Sequence, residues 1–80
     1  MRPGLAYGGI SFLLNLDYAE VYTDGEFVGI ARDFGGQPMP VAVGLHRIEL
    51  YARGFEPVAF DISVFPGQVI PYRGSLYPVY

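Results

Sequence analysis

The sequence predicts an all-β domain, and three features carry that reading. Asp24-Gly25 lies between two apolar-rich runs, and Asp-Gly in that setting is among the strongest short-range signals for a β-hairpin. Apolar and polar residues then alternate through 46–51 and 57–65, the period of a half-buried strand. Finally, apolar residues never recur at three-and-four spacing over ten residues without Gly or Pro intervening, so no long helix is expected.

The first strand is expected from Ile10, with Ile10, Phe12, Leu14 and Leu16 on one side and Ser11, Leu13, Asn15 and Asp17 on the other. Asp17-Tyr18 breaks it, since Asp bonds its own backbone in turns. Residues 19–23 form a second strand with Ala19, Val21 and Thr23 inward and Glu20 and Tyr22 outward. After Asp24-Gly25, residues 26–31 return antiparallel, Val28 and Ile30 on one face and Phe27 on the other. Two Gly and two Pro make 32–40 a loop. Val41 and Val43 form a short strand that turns at Gly44, and His46, Ile48 and Leu50 face inward from the next, opposite Arg47, Glu49 and Tyr51. Beyond Arg53-Gly54, the strand 57–65 turns Val58, Phe60, Ile62 and Val64 to the core and stops at Pro66-Gly67. A last strand, 69–76, bends at Pro71 or Gly74 before the tail 77–80. About six to seven short strands with turns between them make a small antiparallel β-sandwich, Ig-like or prealbumin-like.

Composition bounds the function. A chain of 80 residues buries only ~60% of the surface its unfolded form exposes, so the core is thin. With no Cys there is no disulfide and no thiolate chemistry. The net charge of -3 and the scattered Arg2, Arg32, Arg47, Arg53 and Arg73 offer no basic stripe for phosphates, so nucleic acid is not an expected partner. The first ten residues hold no apolar run of signal-peptide type and no 18-residue apolar stretch follows, so no direct membrane insertion is expected. Residues 1–8, rich in Pro and Gly, read as a lead-in from a longer protein. Hydrophobic residues at 51% and aromatics at 16% exceed what so small a core absorbs, which points to association with another protein or another copy.

The turn and strand residues, taken in order, resemble the PEGA domain family. That family shows Ala-x-Val-Tyr-x-Asp-Gly, a following Val-Gly, Pro-Gly-x-His-x-Ile, an aromatic after Gly, and a late Pro-Gly. Here the matches are Ala19, Val21, Tyr22, Asp24, Gly25, Val28, Gly29, Gly44, His46, Ile48, Gly54, Phe55, Pro66 and Gly67, spread over most of 9–76. The Pro-Glu-Gly-Ala stretch is replaced by Leu16-Asp17-Tyr18-Ala19, and Val43 stands where Pro precedes Gly44 in the family. The resemblance implies a β-sandwich module of larger envelope-associated proteins, periplasmic or extracellular, serving interaction or structure without known catalysis.

No residue set forms a catalytic, cofactor or metal site, so the expectation is a non-enzymatic chain with no cofactor. His46 is the lone histidine, and its inward place near a turn suits a structural imidazole capping a turn carbonyl. Asp17, Asp24, Glu26 and Asp33 come from turns where a calcium site is conceivable, but their spacing is not that of an EF-hand loop, and Asp is itself a favoured turn residue. Tyr22, Phe27 and Tyr51 are expected outward on three strands, with Arg47 and Glu49 on the face of Tyr51. If those strands are neighbours, the rings form a stripe that either merely packs the sheet, centres a protein contact, or stacks on sugar rings. The second contact route is the sheet edge, with the tail 74–80 lying along a neighbouring sheet and Leu76, Tyr77 or Val79 meeting the partner. Asp24, Gly25, Gly44, Gly54, Pro66 and Gly67 are the expected structural turn residues.

Overall fold

The computed structural model describes residues 6–79. Seven strands run in the order β1 (Tyr7–Leu14), β2 (Glu20–Thr23), β3 (Glu26–Ile30), β4 (Met39–Ala42), β5 (Gly44–Tyr51), β6 (Val58–Val64) and β7 (Val69–Gly74). They form a β-sandwich of a three-stranded sheet, β4-β1-β7, and a four-stranded sheet, β3-β2-β5-β6. The only helical element among the described residues that connects strands is a 3-10 turn, Ala31–Phe34. One pair departs from the antiparallel expectation, because β7 lies parallel to β1 from Gly9↔Val69 to Leu14↔Gly74. The chain leaves β6 in one sheet and enters β7 in the other, which brings its last strand beside its first in the same direction.

The alternation read from sequence sets the core. Ile10, Ala19, Val21, Ile48, Leu50 and Val64 are buried between the sheets, with Phe12, Leu14, Leu16, Phe60 and Ile62 packed against them. Where β6 and β7 meet across the two sheets, Phe60 stacks on Tyr72 at 4.2 Å and 13°. Phe12 meets the same Tyr72 edge-on at 6.3 Å. Such offset and edge contacts add ~0.5–1.5 kcal/mol each beyond area burial.

Several local expectations are corrected. β1 begins at Tyr7, ahead of Ile10; of the expected lead-in 1–8, residues 1–5 lie outside the described residues, while Tyr7 and Gly8 pair with Ala42 and Val41. A Cβ on Gly8 would sit 2.6 Å from both the Gln68 carbonyl and a Val64 methyl, so this position holds the β6–β7 turn against β1. The expected loop 32–40 contains the 3-10 turn and the start of β4, whose inward residues are Met39 and Val41, while Val43 is exposed in the bend that follows. Pro40 fits because β4 is an edge strand, and Pro71 fits in β7 for the same reason. In β3 the register jumps between Val21↔Gly29 and Tyr22↔Phe27. That bulge leaves Val28 without a partner and exposed, and sets Ile30 opposite Glu20 on the side of Phe27, so Val28 and Ile30 do not share a face opposite Phe27 as expected.

The tail is corrected most. Leu76 is only 1% exposed, and the Asn15 amide grips its backbone twice, Nδ2 donating to the Leu76 carbonyl and Oδ1 accepting from the Leu76 N–H, each at 2.9 Å. Beyond it, Phe55 bridges Pro78, Glu56 N–H donates to the Tyr77 carbonyl and Val79 N–H to the Gly54 carbonyl. Residues 76–79 therefore close their own sandwich, and Leu76 has no surface to offer a partner; Tyr80 lies outside the described residues. Leu76→Ala should cost about 2–5 kcal/mol, the range for truncating a buried Leu, read as a fall in urea midpoint at unchanged m-value. A loss under about 0.5 kcal/mol would contradict the docked tail.

Candidate functional site

The outer face of the four-stranded sheet collects the outward residues of β2, β3 and β5. Pairing sets Tyr22 opposite both Phe27 and Glu49, and Glu20 opposite Tyr51. The Tyr22 and Phe27 rings meet edge-on at 5.6 Å and 64°. The anticipated stripe thus exists as one aromatic contact, with Tyr51 on the diagonal from Tyr22 and not beside it. A shallow depression of about 420 Å³ lies here, lined by Tyr22, Gly25, Glu49, Leu50, Tyr51 and Pro57. Phe27 and Tyr51 are 55% and 44% exposed.

Arg47 shares this outer face but points its charge across to Asp61 on β6 at 3.4 Å, a pair of more than half-exposed groups. Such a pair adds little stability. Tyr77 and Val79 are exposed on the docked tail and do not line the depression, and Leu76 belongs to the core. Two residues of the site carry signals that the stripe reading passed over. Glu20 precedes Tyr22 by two along a strand and so shares its face, and Pro57 follows from the start of the 57–65 run. The Tyr22 hydroxyl donates to Glu20 Oε1 at 2.7 Å. That bond, with burial and the charges of Glu20, Tyr51 and Glu49, raises the Tyr22 pKa above its ordinary value.

The hairpin beneath the site is tied down by its own turn. Asp24 and Gly25 both take positive φ, 52° and 85°, as a tight two-residue hairpin requires. Asp24 N–H donates to the Arg47 carbonyl at 2.8 Å. Its carboxylate accepts the Arg47 N–H at 2.9 Å through Oδ1 and meets His46 Nδ1 at 2.6 Å through Oδ2. His46 sits at the turn as expected, but its close partner is the Asp24 carboxylate; the Ala42 and Val43 backbone of the turn also favours its charged form, although no group among the described residues stands within hydrogen-bond geometry of its buried Nε2. Asp33 accepts from Ile30 N–H at 3.1 Å at the 3-10 turn. Among the described residues no three His, Cys, Asp or Glu side chains gather as a metal site, and no helix is long and apolar enough to cross a membrane.

No family model matches the chain, and no curated protein matches it. The likeness to PEGA domains rests on the turn and strand residues alone.

The Asp24–His46 pair gives stability a defined pH dependence. The His46 pKa is raised above the ordinary 6.5, chiefly by the Asp24 hydrogen bond. Its contribution is complete below the unfolded value and is lost as pH rises through the folded one. The Asp24 pKa is lowered below the ordinary 3.8, first by the Arg47 N–H and then by His46, so its contribution is present above that value and is lost as pH falls through the folded one. The thermal midpoint should accordingly peak between about pH 4 and 6.5 and decline as pH rises above that window. Asp24→Asn keeps a residue tolerant of positive φ before Gly25 and should flatten the alkaline limb; an unchanged limb in that variant would show that the pair does not set it.

Proposed function

We propose that this chain is a non-catalytic interaction module that binds another protein, or a second copy of itself, through the outer face of the four-stranded sheet. The observation that carries the reading is a half-buried Tyr22 in edge contact with exposed Phe27, and an exposed Tyr51 that with Tyr22 lines a shallow depression on a hydrogen-bonded sheet. Tyr is enriched at the centres of protein contacts because its ring supplies apolar area with few rotatable bonds while its hydroxyl keeps a polar partner. The resemblance to PEGA domains supports a setting in the cell envelope, within a larger periplasmic or surface protein. The edge route through the tail is withdrawn, since the tail is bound to 54–56 of its own chain.

A second reading draws on the same geometry. Two tyrosines and Pro57 around an open depression with the Glu49 carboxylate also suit a sugar ring, which stacks its apolar face on aromatics and hydrogen-bonds to acids. In that case the module anchors its parent protein to envelope glycan.

The test is the double variant Tyr22→Ala, Tyr51→Ala, compared with the unaltered chain in three measurements. These are affinity for peptides selected on the unaltered chain by display, solution mass by light scattering over a hundredfold concentration range, and retention on polysaccharide. Truncating aromatic anchors at a contact centre costs ~2 kcal/mol or more, so peptide binding or self-association should weaken by about 30-fold. Loss of polysaccharide retention alone would favour the glycan reading. No change in any of the three would remove this face from the function.

A further inference from the structure

Within the aromatic face, the pairing of β2 with β5 builds a pattern that packing alone does not call for. Glu20 and Tyr22 stand two apart on β2, and Tyr51 and Glu49 stand directly opposite them on β5. The result is a two-by-two checkerboard, with phenol rings on one diagonal and carboxylates on the other. Directly opposed residues on a sheet have Cβ atoms roughly 4.5–5.5 Å apart and diagonal ones roughly 7–8 Å. One flat cation laid on this square therefore reaches both acids and both rings.

The charge here is not balanced by the described residues. Glu49 makes no hydrogen bond or ion pair among the described residues, and Glu20 has only the neutral Tyr22 hydroxyl, on one of its two oxygens. Arg47, the cation of this face, is directed to Asp61 on the far strand. The outward charges Glu20, Glu49 and Asp61 against Arg47 leave the face net negative, in a chain that is itself at -3. An occupant of this face meets acid flanked by aromatic surface.

We propose that the Glu20–Tyr22–Glu49–Tyr51 checkerboard is a receptor for an arginine side chain presented by a partner peptide. Arginine fits better than lysine because its planar guanidinium stacks on phenol rings while its N–H fork bonds carboxylates at its edge. The depression continues past Tyr51 to Pro57, giving the peptide backbone flanking the arginine an apolar floor. This inference rests on the protein-contact reading above and names the chemistry that the contact selects.

The experiment titrates blocked eight-residue peptides, identical except for Arg, Lys, Gln or Glu at alternate positions, into the isotope-labelled full chain at low salt. Backbone and side-chain shifts are followed by NMR. The Arg peptide should perturb resonances of residues 20–22 and 49–51, bind at least tenfold more tightly than the Gln peptide, and bind more tightly than the Lys peptide. Glu20→Gln, Glu49→Gln should weaken Arg-peptide binding at least tenfold without changing the thermal midpoint by more than a few degrees. Asp17→Asn, Asp33→Asn makes the same change in net charge beside the 3-10 turn, off the square and the depression, and should leave binding within twofold. Equal binding of Arg and Gln peptides, equal loss in the two charge variants, or shifts centred elsewhere would each overturn the proposal. If display-selected partners lose affinity for Tyr22→Ala, Tyr51→Ala but keep it for Glu20→Gln, Glu49→Gln, the contact face stands and the arginine inference falls.

Discussion

The carboxylate of Asp24 fixes where β2 sits against β5, and the exposed chemistry of the domain follows from that placement. One oxygen accepts the Arg47 N–H, the other meets His46, and the Asp24 N–H returns to the Arg47 carbonyl. These contacts lock the hairpin tip to the strand beside it, so Thr23 opposes Ile48 and Tyr22 opposes Glu49. In a sheet a slip of one residue exchanges the buried and solvent sets. Here it would send Tyr22 and Glu20 into the core and expel Val21, which is fully buried. A single acidic turn residue thus couples the core to the arrangement of rings and acids outside it.

The sandwich is closed by both the start of β1 and the segment 76–79. The Asn15 side chain holds Leu76 by both backbone groups across 61 residues of sequence, and the β6–β7 turn is bound to the start of β1 by Gly9 N–H to the Gln68 carbonyl and Gly67 N–H to the Tyr7 carbonyl. Two Gly at positions 8 and 9 permit that approach, since side chains there would meet Gln68, Val64 or Pro38. In a chain of this size, where a large fraction of apolar surface cannot be covered, recruiting the tail adds Leu76 to a core built mainly from Ile, Val, Leu and Ala.

The parts of this fold legible in the sequence are those specified locally. Asp24-Gly25 announced its hairpin because few residue pairs accept consecutive positive φ, and β5 and β6 were readable because each is one uninterrupted alternation. What sequence concealed was specified by distant partners. Met39-Pro40 looked like loop because Pro is excluded from central strands, and only the position of β4 at a sheet edge removes the objection. Tyr7-Gly8-Gly9 has no apolar alternation, since its residues answer to the close turn beneath them. The bulge at Val28 upset a face assignment that strict period two required, and Leu76 is an isolated apolar residue whose burial depends on Asn15. The site divided the same way. Outward Tyr22, Phe27 and Tyr51 followed from alternation, whereas the pairing of Glu20 with Tyr51 needed the inter-strand register.

Folding accounts for the acidic residues of this chain unequally. Asp24 and Asp33 each satisfy a backbone N–H at a turn, and Asp61 faces a guanidinium. Glu20 and Glu49 do neither. They sit diagonally on one face with tyrosines between them, and among the described residues no cation pairs with either. A surface shaped by stability alone would favour opposite charges or Thr at such cross-strand positions, which contribute ~0.2–1 kcal/mol per pair. The Tyr22–Phe27 contact has a role in the sheet, and Glu20 holds the Tyr22 hydroxyl through one oxygen, but Glu49 and the second oxygen of Glu20 have no hydrogen-bond partner among the described residues. An approaching cation would gain both carboxylates at once, which is what makes the charge of a partner, as much as its apolar surface, the property to test at the proposed contact.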